Sequence, residues 1–429
     1  MRVLMFGWEF PPHIAGGLGT ACKGIVEGLA HNGVETLFVM PSASGDEDQS
    51  CTTIINASDV EVHNVSQTVD EFLDKVKFIH VDSNLVPYVD PDEYFEAIEK
   101  MKKEKRTSTT VGFGQKFKFS GKYGANLMEE VSRYAQVGGT IAMQHAGEFD
   151  VIHAHDWLTY LAGIAAKELS GKPLVVHVHA TSFDRGSDDM VDTRVYAIEK
   201  RGMEMADRVV AVSELTRNIV INKDGIDPSK VVAVHNAVDF SGRENLQVER
   251  GVRDKVVTFL GRITYQKGPE YFIDAAAKVL KRTKGVRFVM AGSGDMMNKA
   301  IRQVARLGIA DRFHFTGFLR GSDVQKMFAL SDVYIMPSVS EPFGISPLEA
   351  MRSNVPSIIS YQSGAAEILK YAFKVDFWDV DAMADDIYAL LQYPALSKFA
   401  EKHGLEEVNA LKWDHAAAKL KTIYEQIIK

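Results

Sequence analysis

Residues 3–40 read VLMFGWEFPPHIAGGLGTACKGIVEGLAHNGVETLFVM. The apolar runs Val3–Phe6 and Val34–Met40 each have the length of a buried strand. Between them, apolar residues recur at helical spacing over residues 18–29, and Gly33 follows as a helix-ending glycine. This order of strand, glycine loop, helix and strand is typical of a parallel βαβ unit.

The same alternation continues along the chain. It predicts further strands at Phe78–Val81, Val151–Ala154, Leu174–Val178, Val209–Val212 and Val231–Val234. The polar stretch 240–254 has no clear period and is typical of a linker. A second alternation of strands and helices runs from Val256 to Ile359. We therefore expect an α/β protein with two doubly wound domains and a deep cleft between them.

The composition excludes several classes of protein. The chain has 429 residues, of which 46% are hydrophobic and 25% are charged. These values exclude a disordered, collagenous or purely coiled-coil chain. The formal net charge of −8 gives no basic footprint for nucleic acid, so we expect no nucleic-acid partner.

Two further features bear on location. Cys22 and Cys51 cannot form a disulfide framework, which indicates a reducing compartment. The apolar run near the N-terminus is too short for a signal peptide, and no run reaches the roughly 18 apolar residues that span a membrane. We expect a cytoplasmic protein with no integral membrane segment.

Residues 102–124 interrupt the alternation. They combine lysines and an arginine with Gly, Ser, Thr and the aromatic residues Phe113, Phe117, Phe119 and Tyr123. The pattern favours a solvated surface loop over a mobile flap that covers an acceptor or partner.

Two stretches are candidates for binding an anion. Gly16-Gly17-Leu18-Gly19 comes just before a helix, where backbone N–H groups can approach a phosphate, although a structural turn explains it equally well. Arg262 and Lys267 follow a predicted strand, at the end of a parallel sheet where ligands bind. Two cations there could neutralise a diphosphate leaving group, or be ordinary surface charges.

The most specific motif is Glu341-Pro-Phe-Gly-Ile-Ser-Pro-Leu-Glu349. Its two glutamates flank a loop and the start of a helix, and Pro347 suits a first helical turn. Glu349 alone could be a first-turn acid of the helix. The backbone N–H groups of Gly344 and Ile345 are expected to face the cleft.

Histidines end two predicted strands. One strand ends in the run His153-Ala-His-Asp-Trp157, and on the other His177 and His179 alternate, so both face one side of that strand. The H-x-H spacing raises metal binding as a candidate, but the sequence offers no clear third ligand. The D-x-D pairs at Asp90–Asp92 and Asp379–Asp381 are interpreted as turn or helix-capping residues.

Taken together, these motifs resemble the retaining GT-B glycosyltransferases. The resemblance is carried by the early Gly-Gly, by residues 151–157 with their H-A-H-D-W run, by His179, by Arg262 with Lys267, and by Glu341 with Glu349. The turn Gly364–Glu367 resembles the G-G-x-x-E loop of that family. The likeness covers nearly the whole chain and is closest to glycosyltransferase family 4 and the glycogen and starch synthases.

The resemblance implies a domain plan and a set of roles. Residues 1–240 would be an acceptor-side Rossmann-like domain, 251–408 a nucleotide-sugar domain, and 409–429 a helix that crosses back to the first domain. The implied catalytic residues are His179, Glu341, Arg262 and Lys267. The implied donor-binding residues are Gly16, Gly17, Arg262, Lys267, Gly344, Ile345, Leu348 and Glu349. The implied acceptor-binding residues are Asp156 and Trp157.

The resemblance also implies a reaction. A hexosyl group, glucosyl being the expected one, would pass from ADP-glucose or UDP-glucose to a glycan acceptor with retention of configuration. Arg262 and Lys267 would take the place of a metal ion on the diphosphate, so no metal or other cofactor is expected. Attack from the front face is expected, with the leaving phosphate accepting the acceptor's proton.

Several readings of the acceptor stay open. The H-A-H-D-W run at 153–157 favours a glycogen-type α-glucan synthase. Ile14, which stands where glycogen synthases have lysine, favours a family 4 enzyme of envelope or exopolysaccharide assembly. A nucleotide-sugar epimerase and an inactive sugar-nucleotide binder are further alternatives. His155, Asp156 and Trp157 speak against the epimerase, and the joint presence of the cations and glutamates speaks against the inactive binder.

Overall fold

The computed structural model describes residues 1–13, 16–62, 115–124, 126–186, 191–238, 248–251 and 253–428. Three predicted features lie outside this part of the chain: the strand Phe78–Val81, the pair Asp90 and Asp92, and most of the linker 240–254. The chain divides into two compact units. Unit 1 comprises residues 1–183, 187–236 and 413–429, and unit 2 comprises residues 184–186 and 237–412.

Unit 1 is built on a parallel sheet with the strand order β3-β2-β1-β6-β7-β8-β9. The strands are β1 Arg2–Phe6, β2 Glu35–Met40, β3 Thr53–Asn56, β6 Val151–His155, β7 Leu174–Val178, β8 Arg208–Ala211 and β9 Val231–Ala233. A separate antiparallel pair joins β4 Glu61–Val62 to β5 Gln115–Lys116. The described helices are α1 Gly17–His31, α2 Leu127–Gln144, α3 Trp157–Ser170, α4 Ser182–Arg185, α5 Thr193–Met205 and α6 Glu214–Asn222.

Unit 2 is built on a second parallel sheet with the order β12-β11-β10-β13-β14-β15. Its strands are β10 Lys255–Leu260, β11 Val286–Ala291, β12 Phe313–Gly317, β13 Val333–Met336, β14 Ser357–Ser360 and β15 Phe373–Val375. Its helices are α7 Pro269–Arg282, α8 Met297–Arg306, α9 Ser322–Leu330, α10 Ile345–Arg352, α11 Ala365–Ile368, α12 Val380–Gln392 and α13 Pro394–Asn409. The last helix of the chain, α14 Trp413–Ile427, belongs to unit 1.

The central strands form where the sequence has continuous apolar runs. Every residue of β6, β7, β13 and β14 is buried. A parallel sheet covered by helices on both faces buries both sides of its strands, which explains why these runs lack a polar alternation. The prediction of two doubly wound α/β domains is confirmed. Among the described helices, none has the length and hydrophobicity needed to cross a bilayer.

The structure corrects the interpretation of the stretch before α2 as a solvated loop. Residues 102–114 lie outside the described part, but Phe117, Phe119 and Tyr123 are buried. The Phe119 ring packs edge-on against the buried ring of Tyr134 in α2. The aromatic residues, spaced among lysines, therefore anchor the stretch while the intervening lysines remain at the surface.

The last helix packs along α1. An ideal Cβ on Gly24 would lie 2.2 Å from Trp413 Cε2, and one on Gly28 would lie 2.7 Å from the Trp413 carbonyl oxygen. The Asn32 side chain donates to the Asp414 carbonyl oxygen at 3.0 Å, and Lys421 Nζ donates to the Asn32 carbonyl oxygen at 2.9 Å. The small residues of α1 thus allow the two helices to approach closely.

Gly24→Ala is expected to destabilise the protein, although alanine normally favours a helix. The added methyl group overlaps the Trp413 indole, and such overpacking costs about 1–3 kcal/mol. Urea unfolding of the full chain, monitored by near-UV circular dichroism, measures the change in the free energy of unfolding. Gly251→Ala, with no atom within 4 Å of its added Cβ, is the control. A Gly24→Ala protein as stable as the wild type would contradict the close packing of α14 on α1.

Candidate functional site

Three loops of unit 2 meet at the carboxyl ends of adjacent strands. β10, β13 and β14 are neighbours in the sheet, so the segments that follow them emerge side by side. Val339 N–H donates to the Gln266 carbonyl oxygen at 2.9 Å, which joins the loop after β13 to the loop after β10. Glu341 N–H donates to the Gln362 carbonyl oxygen at 2.9 Å, which joins it to the loop after β14.

The loop after β10 contains Arg262 and a short turn, Tyr265–Lys267, that leads into α7. Gly268 ends the turn with φ +63°, and a Cβ there would lie 2.1 Å from the Pro337 carbonyl oxygen. Only glycine fits both the left-handed conformation and this close approach. The approach brings Lys267 against the segment that follows β13.

Lys267 forms an ion pair with Glu341. Its Nζ donates to Glu341 Oε2, and the two side chains are 19% and 9% exposed. Ser338 Oγ also lies 3.4 Å from Glu341 Oε2. The structure therefore brings two sequence-predicted site residues into direct contact, in a partly desolvated setting where a charged hydrogen bond is stronger than in water.

Tyr334 is a buried residue of this site that the sequence motifs did not single out. Its hydroxyl lies 3.4 Å from the Leu260 carbonyl oxygen. Burial raises the pKa of the Tyr334 phenol, and the negative charges of Glu341 and Glu349 raise that pKa further. The Tyr334 hydroxyl therefore stays neutral, and it lies at the carboxyl end of β10, beside Leu260.

Helix α10 begins at Ile345, so Pro347 lies in its first turn as expected, and Gly344 precedes the helix with φ +96°. Gly344 therefore stands at the helix N-terminus, where backbone N–H groups lack intrahelical partners and attract negative or polar oxygens. Leu348 is fully buried, so its side chain packs in the core of unit 2.

Arg262 is half-buried and its Nη2 donates to the Gln266 side-chain oxygen at 3.0 Å. The backbone of the same loop is held by the segment after β11, since Ile263 N–H donates to the Ser293 carbonyl oxygen at 2.8 Å. A Cβ on Gly294 would lie 2.3 Å from the Ile263 carbonyl oxygen. The Gly-Ser-Gly run 292–294 is the sequence feature that permits this close approach to Ile263, and it is not part of the motifs described above.

In unit 1, the glycine stretch lies at the N-terminus of α1. Gly16 is the residue before the helix and Gly17 is its exposed first residue. Gly19 N–H donates to the buried carboxylate of Glu9 at 3.0 Å. The Glu9 carboxylate therefore already accepts from one first-turn N–H group of α1. Ile14 and Ala15 lie outside the described residues.

Asp156 and Trp157 join β6 to α3. Asp156 has φ +60°, and its Oδ1 accepts from His179 N–H at 2.7 Å and from Ala180 N–H at 3.3 Å. This carboxylate fixes the backbone just after β7. Trp157 is 1% exposed, so its indole belongs to the core, and this burial argues against the direct acceptor contact that we expected of it.

One stack is formed by His153 and His155 of β6, His177 of β7 and His179, which follows β7. His155 lies opposite His177 in the register of the two strands. The ring centroids of His153 and His177 are 5.3 Å apart, and those of His177 and His179 are 4.4 Å apart. Burial, with the neighbouring His179, lowers the pKa of His153 to about 3, and burial lowers the pKa of His179 to about 3. These imidazoles are therefore neutral at pH 7.

Of the two D-x-D pairs, one is described. The Asp379 side chain accepts from Ala382 N–H at 2.9 Å and caps α12. Asp381 pairs with Lys278 at the surface. This confirms the interpretation of Asp379 as a capping residue.

Two protein-family models match the chain. Residues 124–241 match the model described as Glycosyltransferase Family 4. Residues 243–405 match the model described as Glycosyl transferases group 1. The second match spans β10 to most of α13 and includes every site residue described in unit 2.

Curated relatives match over nearly the whole chain. An uncharacterized glycosyltransferase of Methanocaldococcus jannaschii is 28% identical over 99% of this chain and 98% of its own length. A glycogen synthase of Mycobacterium tuberculosis is 22% identical over 99% of this chain and 94% of its own.

Solved structures share the fold. Sucrose-phosphate synthase from Thermosynechococcus elongatus superposes with a TM-score of 0.70 at 16% identity, over 99% of this chain and 98% of that one. Anabaena HepE in complex with UDP and glucose gives a TM-score of 0.67 at 14% identity, over 99% and 100% of the two chains.

The two family models are adjacent in the sequence and fall on the two doubly wound parts of the chain. The full-length relatives are glycosyltransferases, and the solved structures have the same α/β architecture. From the sequence motifs, the fold and these matches, the chain is a glycosyltransferase with the GT-B fold, of the family 4 and glycogen synthase-like type.

Proposed function

We propose that this glycosyltransferase transfers a hexosyl group from a nucleotide-diphosphate sugar to a glycan, with retention of configuration. The observation that carries the proposal is the Lys267–Glu341 ion pair at the joined ends of β10 and β13. The pair combines a cation suited to a phosphate with a carboxylate suited to sugar hydroxyls.

The proposed donor roles follow from the chemistry of each group. Arg262 and Lys267 would neutralise the diphosphate, and Glu349 would accept hydrogen bonds from the ribose hydroxyls. Glu341 and the N–H groups of Gly344 and Ile345 would hold the sugar. Leu348 is buried, so only its backbone could serve the donor. The roles expected for Gly16, Gly17, His179 and Asp156 in unit 1 stay predictions.

When the donor enters, Lys267 would exchange one anion for another. In the structure its ammonium group contacts Glu341, and a diphosphate offers a higher charge to the same group. Glu341 would then be available to the sugar. Catalysis would consist of positioning and of charge stabilisation on the leaving group, while the leaving phosphate accepts the acceptor's proton.

We propose an α-glucan of the glycogen type as the acceptor and glucose as the sugar. The full-length similarity to a mycobacterial glycogen synthase supports this assignment. The alternative is a small or envelope-type acceptor, supported by a D-inositol 3-phosphate glycosyltransferase of Catenulispora acidiphila that is 28% identical over 68% of this chain. We also propose that the enzyme acts in the cytoplasm.

Donor and acceptor can be tested together. The purified protein is incubated with ADP-glucose or UDP-glucose, with and without glycogen, and released nucleotide is measured. We expect release that depends on glycogen, together with radiolabelled glucose in the precipitated glucan. Nucleotide release at the same rate without any glycan would exclude the glucan acceptor, and no release with either donor would count against the choice of glucose.

Glu341→Ala is expected to lower turnover more than it weakens the binding of free nucleotide. Losing a charged hydrogen bond to the bound sugar costs about 2–4 kcal/mol in the transition state, or about 30- to 1000-fold in rate. Glu270→Ala, which removes a surface carboxylate paired with Lys299, is the control. Turnover and the affinity for ADP and UDP are measured separately. If Glu341→Ala abolished nucleotide binding while Glu349→Ala did not, the two roles would be reversed.

Transfer is expected to continue in excess EDTA, because the proposed diphosphate partners are the side chains Arg262 and Lys267. Lys267→Ala should therefore lose activity severely, whereas Lys278→Ala, which removes a surface lysine paired with Asp381, should not. Initial rates of nucleotide release give both results. Activity that EDTA abolishes and Mn²⁺ restores would refute the proposed use of cationic side chains in place of a metal.

A further inference from the structure

The histidine stack in unit 1 is more than a polar patch at the end of two strands. One ring nitrogen from each of His153, His155 and His177 lies within 4.8 Å of the others, and all three residues are buried. The sequence offers no clear third ligand to an H-x-H pair, but the pairing of β6 with β7 places His177 opposite His155.

The hydrogen bonds of the stack engage some of its ring nitrogens and not others. His153 Nδ1 bonds the Tyr424 hydroxyl at 2.6 Å, and His155 Nδ1 bonds His179 Nε2 at 2.9 Å. Within the described part of the chain, His153 Nε2, His155 Nε2 and both ring nitrogens of His177 have no hydrogen-bond partner. Burying a polar atom without a hydrogen-bond partner costs free energy, so four such atoms in one cluster point to a bound ligand.

We propose that His153, His155 and His177 bind a divalent transition-metal ion of the zinc class. Three imidazoles without a carboxylate among them suit Zn²⁺, Co²⁺, Ni²⁺ or Cu²⁺ and do not suit Mg²⁺ or Ca²⁺, which take oxygen ligands. The site contains none of the donor residues of unit 2, and its metal is assigned no part in the proposed transfer, although His179, which holds His155, is among the residues expected to be catalytic.

The hydrogen bonds match those of a metal site. A histidine that ligates a metal through one nitrogen usually has its other N–H held by a fixed partner. Tyr424 in α14 holds His153 in this way, and His179 holds His155. Both partners act on Nδ1, and Nε2 is the free atom in both rings.

The distances require a small adjustment of the rings. Nitrogens bound to tetrahedral Zn²⁺ at about 2.0–2.1 Å lie about 3.3–3.4 Å apart, inside the 4.8 Å limit that the three atoms satisfy. Binding would therefore bring the three ring nitrogens closer together.

The test uses full-length protein without a histidine tag. The protein is freed of metal with a chelator, dialysed, and titrated with Co²⁺ and then with Zn²⁺. We expect one ion per chain by elemental analysis, visible ligand-field bands of Co²⁺ that Zn²⁺ abolishes, and a melting temperature that rises with Zn²⁺ concentration. No bound metal, no bands and no thermal shift would overturn the proposal.

Three variants test the ligand assignment: one at a proposed ligand, one control, and one at a hydrogen-bond partner of a ligand. His177→Gln should lose the stoichiometric ion, whereas His145→Gln, which alters a surface histidine of unit 1 beside Glu148, should keep it. Tyr424→Phe keeps the ring but removes the hydroxyl from His153, and we expect about 10- to 100-fold weaker metal binding. Circular dichroism checks that each variant is folded. An unchanged affinity in folded His177→Gln would overturn the ligand assignment.

A separate readout keeps the two proposals distinguishable. Metal content and cobalt bands report on the histidine site, and glycogen-dependent nucleotide release reports on transfer. Retention of the ion by Lys267→Ala, together with loss of transfer, is the expected result. Loss of the ion in Lys267→Ala would contradict the independence of the two sites.

Discussion

Every strand of the two main sheets runs parallel to its neighbours, and this constraint determines where the polar groups of the molecule meet. A parallel sheet opens all its strand-to-helix loops at one edge. In unit 2 that edge brings together the loops after β10, β13 and β14, and backbone hydrogen bonds between them hold Lys267 against Glu341. In unit 1 the parallel pairing of β6 with β7 brings the histidines near the carboxyl end of one strand beside those of the other.

The strands could be predicted from the sequence because buried parallel strands are continuous apolar runs. The predicted strand Leu174–Val178 is observed with the same bounds, and the strand predicted at Val151–Ala154 extends one residue further, to His155. The short strand β3, Thr53–Asn56, was missed because its polar ends and partial exposure give a weak signal. The positive φ of Gly344, which precedes α10, is a backbone property that no sequence period records.

The individual residues of the site could be predicted from sequence motifs. Glu341 and Glu349 form one motif, and Arg262 and Lys267 form another. The contact between Lys267 and Glu341 depends on β10 and β13 being neighbours, and sequence order does not reveal strand order. Tyr334 gives no such signal, since a tyrosine inside an apolar run looks like a core residue until its hydroxyl is found 3.4 Å from the Leu260 carbonyl oxygen.

The packing of α14 on α1 has a consequence for how the chain folds during synthesis. Unit 1 contains both the first residues of the chain and residues 413–429, and unit 2 is made in between. The groove around Gly24 and Gly28, where Trp413 packs, therefore stays uncovered until the whole of unit 2 and then α14 have been synthesised. A nascent chain that lacks α14 exposes this helix face, and exposed apolar surface is a feature of aggregation-prone intermediates. Helix α14 thus makes the completion of unit 1 depend on the prior synthesis of unit 2.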